Sequence, residues 1–269
     1  MVQLSKKNIQ FTNTPSSKGN QLKFTDGHIW YKTDYTGYEG LSEYVVSELL
    51  TYSNLEPLEF VRYRTETIVY GESTLLGCKS PDFLPHSSQL ITLERLYKKE
   101  TGESLYQTIW KIPDREKRAA TLVNYIQNIT GIDNFGLYLA KLLTIDTLFL
   151  NEDRHFHNIA VLMDSTEKYS LCPIFDNGAA LFSDTKLDYP VGSDLTSYYK
   201  RAQAKTFSPD FDEQLDIIEE LFGRPLQFHF TKDDVRDILS AEPYYPDELK
   251  QRVGEILFHQ MNRYSYLLK

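Results

Sequence analysis

Short alternating runs of apolar residues dominate the chain up to about residue 93, and longer helical periods dominate it afterwards. In the first part, residues 8–32 read as strand, loop, strand: the loop is T-P-S-S-K-G-N-Q, 21–24 leads out of it, and 28–32 is a second short strand after the tight turn Thr25-Asp26-Gly27. Residues 60–76 read as two more, from Val61, Tyr63 and Thr65 and then the run 67–70, and 90–93 is another apolar run. One helix interrupts them. Over 39–52, Leu41, Val45, Leu49 and Tyr52 recur at helical spacing as a single buried stripe, with Ser42 as a candidate N-cap. In the second part the spacing predicts helices over 115–130, 134–150, 212–222, 231–240 and 246–267. Asp133 or Asn134 can cap the second of these, and Pro246 suits the first helical position of the last. A hairpin lies among them: 159–163 is apolar, 164–168 is turn chemistry and 169–175 is apolar again. The stretch 182–211 is long, polar and without clear period, which reads as a functional or mobile loop.

The densest chemistry flanks that hairpin. Asp153 and Asn158 are five positions apart, the D-x-x-x-x-N spacing of a kinase catalytic loop. Asn158 precedes the first strand and Asp176 follows the second, so an antiparallel pairing brings their side chains within reach of one ion. An Asn amide oxygen and an Asp carboxylate suit Mg2+, which takes hard oxygen ligands and completes its shell with phosphate and water. Asp153 is then placed to accept a proton from an attacking hydroxyl. His155 and His157 lack a third ligand at zinc spacing, and His155 reads as a brace for the loop.

The first part offers partners for that chemistry. A loop ahead of residue 21 carries Gly19, and such loops can bring backbone N–H groups close to phosphate. Lys32 ends a strand of aromatic and apolar residues and can neutralise phosphate charge. Glu43 or Glu48, near the buried stripe of the following helix, could pair with it. At Glu94, Arg95, Leu96 and Tyr97 an apolar strand runs into mixed polarity, the pattern of an adenine-binding hinge that works through backbone groups. The resulting expectation is α+β: a two-lobed, protein-kinase-like fold with a small β-rich lobe over 1–93, a hinge over 94–98 and a mainly helical lobe over 99–269.

Composition narrows the setting. The 269 residues are 41% hydrophobic and 25% charged, those of an ordinary globular protein with ample surface to bury. A net charge of −9 argues against non-specific nucleic-acid binding and against an anionic membrane surface. Cys78 and Cys172 form no metal-spaced pair, and no run approaches the roughly 20 apolar residues of a membrane span. A reduced, cytoplasmic setting follows as an expectation.

The motifs together resemble the HipA-type serine/threonine kinases. Ser16-Ser17-Lys18-Gly19-Asn20-Gln21-Leu22-Lys23 resembles that family's S-x-x-G-x-Q-x-K phosphate loop. Lys32 resembles its ATP-contacting lysine, and Glu43-Tyr44 the N-E-Y opening of its helix. Leu93-Glu94-Arg95-Leu96 resembles the V-E-R-F hinge, with Leu96 in place of the aromatic. The run from Asp153 through His155 to Asn158 resembles D-x-H-x-x-N, and Pro173-Ile174-Phe175-Asp176 resembles the P-x-Y-D metal motif. The resemblance implies ATP- and Mg2+-dependent phosphorylation of a protein Ser or Thr. It implies ATP contacts at Lys18, Gly19, Asn20, Gln21, Leu22, Lys23, Lys32, Glu94, Arg95, Leu96, His155, Asn158, Phe175 and Asp176. It also implies self-phosphorylation at Ser16 as an off-switch, and an antitoxin-like regulator. The family's toxins carry a further N-terminal subdomain ahead of the loop, and the expectation here is a kinase domain without it.

Two rival readings use the same residues. D-R-H-x-x-N-I is also how phosphatidylinositol kinases read, and Lys200, Arg201 and Lys205 could grip a lipid headgroup; the acidic net charge and the phosphate-loop pattern oppose this. The other rival is a non-catalytic nucleotide-binding scaffold, against which stand all three catalytic side chains.

Overall fold

A computed structural model describes residues 1–5, 8 and 21–269. The chain divides into two compact units, and the division does not follow chain order as the cut at residue 93 does. The first unit is Met1–Asp82, Phe175–Arg201 and Gln227–Lys269; the second is Phe83–Ile174 and Ala202–Leu226.

The first unit is built on strands β1 (Val2–Leu4), β2 (Lys23–Thr25), β3 (Ile29–Thr33), β4 (Arg64–Tyr70) and β5 (Ser73–Pro81), in the order β1-β4-β5-β3-β2. β1 runs parallel to β4, and every other pairing is antiparallel. Phe24, Tyr31, Leu4 and Ile68 form one apolar cluster, with Val2, Leu22, Ile29 and Tyr70 packed against it. Successive strand side chains alternate faces, so Lys32, next to Tyr31, points to the opposite face. Helix α1 (Glu39–Leu50) packs against β3, β4 and β5, and also against α8 (Lys232–Ala241). Being covered on two sides, it buries Leu41, Ser42, Glu43, Val45, Val46, Ser47, Leu49 and Leu50, far more than one stripe. Tyr52 lies beyond its end and is exposed. Ser42 is inside the helix and no cap; its hydroxyl donates to the carbonyls of Asn177 and Ala180. Gly77 of β5 lets β3 approach closely, since a Cβ there would lie 2.0 Å from the Lys32 carbonyl oxygen.

The stretch after residue 181 is not a loose loop. It holds α6 (Leu195–Arg201) and buries Phe182, Tyr189 and Tyr198 in the first unit. Arg252 of α9 (Asp247–Arg263) donates there to the Tyr189 carbonyl at 3.0 Å, and Pro246 is the N-cap of α9, one place before the expected position. α8 carries a capping box between Thr231 and Asp234.

The second unit pairs β6 (Gln89–Thr92), β7 (Ala160–Met163) and β8 (Tyr169–Leu171) antiparallel in that order. Its helices are α2 (Leu93–Thr101), α3 (Leu105–Trp110), α4 (Arg115–Thr130), α5 (Phe135–Phe149) and α7 (Phe211–Phe222). α4 starts on Asp114, whose side chain accepts the Lys117 N–H, and stops at the left-handed Gly131. α5 is apolar nearly all round because α4 and α7 both pack on it. None of the described helices is long and apolar enough to cross a membrane.

Candidate functional site

In the first unit, the face of β3 turned toward α1 carries a three-charge cluster. Lys32 Nζ donates to Glu43 Oε1 at 2.6 Å and to Asp176 Oδ1 at 2.8 Å. Glu43 is 1% exposed, and its other oxygen accepts the backbone N–H of Asn177 at 2.8 Å. That bond ties the helix to the residue after Asp176, and Asp176 itself has a left-handed backbone, φ 64°. Burial opposes the charge on Lys32, but Asp176 and Glu43 outweigh it and hold the ammonium well above the ordinary lysine range. Burial pushes the Glu43 carboxyl up against the pull of Lys32. One lysine between two carboxylates leaves the cluster one negative charge in excess when all three are ionised. Glu48, the other candidate partner, instead binds Arg62. Cys78 stands opposite Lys32 on β5, and burial pushes its thiol well up, which keeps it unreactive.

Lys23 lies opposite Lys32 across β2 and β3, so the two lysines share a face. Gln21 spends its amide on the Thr33 carbonyl at 2.9 Å, and Leu22 packs into the sheet cluster. Phe175 is half-buried. Ser16, Lys18, Gly19 and Asn20 lie outside the described residues.

In the second unit, the turn between α5 and β7 carries Asp153 and Asn158. Asn158 Nδ2 donates to the Asp153 carbonyl at 2.9 Å and to Asp153 Oδ2 at 3.2 Å. Those bonds use the amide nitrogen and leave its oxygen turned away from Asp153. Asp153 Oδ1 accepts from Lys205 Nζ at 3.2 Å. His155 Nε2 is 3.8 Å from the same oxygen; burial lowers the ring's pKa, so it is neutral at pH 7. Beneath the turn, Arg154 is 1% exposed and its Nε binds Asp146 of α5 at 3.1 and 3.0 Å. Arg154 Nη1 also donates to the Asn158 carbonyl at 3.0 Å, and Asn151 Nδ2 donates to Asp146 at 3.0 Å. The fixed polar base therefore holds both ends of the D-x-x-x-x-N run.

Glu94, Arg95 and Leu96 lie on helix α2, not in an extended segment between strand and helix. Thr92 caps that helix by accepting the Arg95 N–H, and the Glu94 N–H goes to the Phe156 carbonyl at 3.1 Å. Leu96 is buried, and the Glu94 carboxylate accepts the Tyr106 N–H at the start of α3. The signal for this was local: a Thr followed by Glu, Arg, Leu and two lysines is a capped helix start.

Sequence reasoning missed two features. Asp146 is the one acidic residue of α5 and sits among its buried positions, and a buried charge there needs a partner. Lys205 appears only as one cation of a polar stretch, and no local pattern ties it to Asp153. The headgroup-binding trio does not form as a set of unpaired cations: Lys205 is on Asp153, and the Arg201 guanidinium lies over the rings of Tyr189 and Tyr198. Among the described residues no group of three or more His, Cys, Asp or Glu could hold a metal ion. Asp176 in the first unit and Asn158 in the second each carry a hard oxygen of the kind Mg2+ takes, beside phosphate and water oxygens.

No family model matches the chain, and no curated protein matches it. Among solved structures it is similar to CtkA, a proinflammatory kinase of Helicobacter pylori, at 18% identity and a TM-score of 0.65, covering 97% of this chain and 95% of that one. It is also similar to HipA of a Shewanella oneidensis MR-1 toxin–antitoxin system, solved with HipB and operator DNA. There the identity is 14% and the TM-score 0.49, over 94% of this chain and 66% of that one. The likeness to CtkA shows the fold: this α+β chain is folded as a kinase is.

Proposed function

We propose that the chain is an ATP- and Mg2+-dependent serine/threonine protein kinase. The observation that carries this reading is Lys32 held between Glu43 and Asp176. A strand lysine paired with a helix glutamate is what positions nucleotide phosphates in kinases. The excess negative charge of the cluster favours a divalent cation, and Asp176 and Asn158 would hold it. When bound, the metal neutralises charge on the phosphate oxygens. Lys32 and the S-x-x-G-x-Q-x-K residues Lys18 to Lys23 hold the phosphates and neutralise their charge. Asp153 orients the Ser or Thr hydroxyl and accepts its proton, while Asn158 and the buried Arg154 keep Asp153 in place. Little bond chemistry falls to the protein, since phosphoryl transfer depends on positioning and charge neutralisation.

The test is incubation of the full chain with labelled ATP and Mg2+, read by mass spectrometry on itself and on a mixed protein substrate. Asp153→Asn should lower transfer at least about 10²-fold, the contribution of a general base; a variant as active as the parent would refute the assignment. The same spectra read Ser16. Label on Ser16 supports self-phosphorylation as a control, and label at other sites alone removes it.

A further inference from the structure

Residues 203–206 run beside the catalytic turn and are tied to it on both sides of Asp153. The Gln203 N–H donates to Glu152 Oε1 at 2.9 Å, and Thr206 Oγ1, fully buried, donates to the Arg154 carbonyl at 2.7 Å. Arg118 binds the next carbonyl, that of Phe207, at 3.1 Å, and Gln214 Oε1 accepts the Phe207 N–H at 3.2 Å. Between these anchors the Lys205 side chain is directed onto Asp153 Oδ1, 3.2 Å away, while remaining 42% exposed. An exposed ion pair contributes little to stability, so stability alone does not account for an ammonium clamped at this spot.

We infer that Lys205 is a second catalytic group, an ammonium that binds the phosphoryl group in flight. The inference rests on the kinase reading and on Asp153 as the base within it. A hydroxyl that gives its proton to Asp153 must sit about 2.6–3.2 Å from that carboxylate. Its oxygen meets the phosphorus from about 3–3.5 Å in a reactive pose. A donor already touching Asp153 is therefore within one side-chain swing of the transferring oxygens. An ammonium has three N–H donors, of which Asp153 takes one. In the step, the hydroxyl oxygen forms a bond to the terminal phosphorus of ATP. The bond from that phosphorus to the bridging oxygen breaks, ADP leaves with the electron pair, and the hydroxyl proton passes to Asp153. Lys205 gains or loses no bond; it neutralises charge on the equatorial oxygens at the moment they are most exposed.

Lys205→Met keeps the aliphatic stem and removes the charge, and Lys205→Arg keeps the charge. The methionine variant should lower kcat by about 10²- to 10³-fold, as loss of one transition-state donor does, with the KM for ATP little changed. Its affinity for ADP should match the parent's. Its affinity for ADP with Mg2+ and fluoroaluminate, which mimics the transferring phosphoryl, should fall by the same factor as kcat. The arginine variant should recover part of both. Parent-like kcat in Lys205→Met overturns the inference. So does a loss of kcat that leaves fluoroaluminate binding intact, which would mark a purely structural lysine. If Asp153→Asn keeps full activity, the kinase reading itself falls; if Asp153→Asn is inactive and Lys205→Met is not, only the role of Lys205 falls.

Discussion

The two polar clusters solve the burial of charge in opposite ways. In the first unit, Lys32 serves Glu43 and Asp176 together, and the groups assigned to chemistry are themselves drawn together by burial. In the second, burial falls on a matched pair, Arg154 and Asp146, while Asp153 above it stays partly open and is balanced by Lys205. Desolvation penalises every buried charge, and a matched pair recovers the cost only while both partners remain. The first cluster therefore carries one carboxylate more than its lysine answers. The second is a matched buried pair beneath a partly open carboxylate.

Removing one partner of the matched pair should have the largest effect. Arg154→Met leaves Asp146 buried without its cation and should cost about 3–5 kcal/mol in a urea titration. Adding Asp146→Leu to it should restore most of the loss; if the single variant costs nothing, the base is not what holds the turn.

A carboxylate held by neutral donors sharpens the contrast. Asp34 accepts from the Gly40 N–H at 2.6 Å and from the Tyr245 hydroxyl at 2.7 Å. Burial, helped by the charge of Glu39, raises its pKa from 3.8 to about 7. Between those values the folded chain holds a proton that the unfolded chain has lost, so stability should fall as pH rises from about 4 to about 7. The effect should reach a few kcal/mol, and Asp34→Asn should flatten that part of the stability–pH curve. An unchanged slope would remove Asp34 as its source.

Backbone spacing under Lys32 comes next. Gly77→Ala would press a methyl group on the Lys32 carbonyl and should cost about 1–3 kcal/mol of stability by thermal unfolding, with weaker ATP binding. Smallest of all should be Glu43→Gln. It removes a charge from a cluster with one too many carboxylates, so the loss should be about 1 kcal/mol, the worth of one hydrogen bond. A cost as large as that of Arg154→Met would erase the distinction between the two clusters.

Much of this was readable before any coordinates. The hairpin over β7 and β8 follows from two apolar runs around Asp164–Lys168 turn chemistry, and Asp164 and Lys168 close the turn at 3.0 Å. The helices α4, α5, α7 and α8 follow from periodicity and caps, because those signals act within a few residues. Where one segment's surroundings decide, the pattern misled. α1 is buried on two sides and looked striped. The stretch after residue 181 is packed through Phe182, Tyr189 and Tyr198, yet no period shows it.

Local order came from the chain itself: which residues turn, which alternate, and which five-residue spacing sets Asp153 beside Asn158. Tertiary structure decided which glutamate answers Lys32, which lysine reaches Asp153 and which cation neutralises Asp146. Those choices join residues from 8 to 52 positions apart, and they are settled by the desolvation cost of leaving a buried charge without its opposite, a quantity no single segment contains.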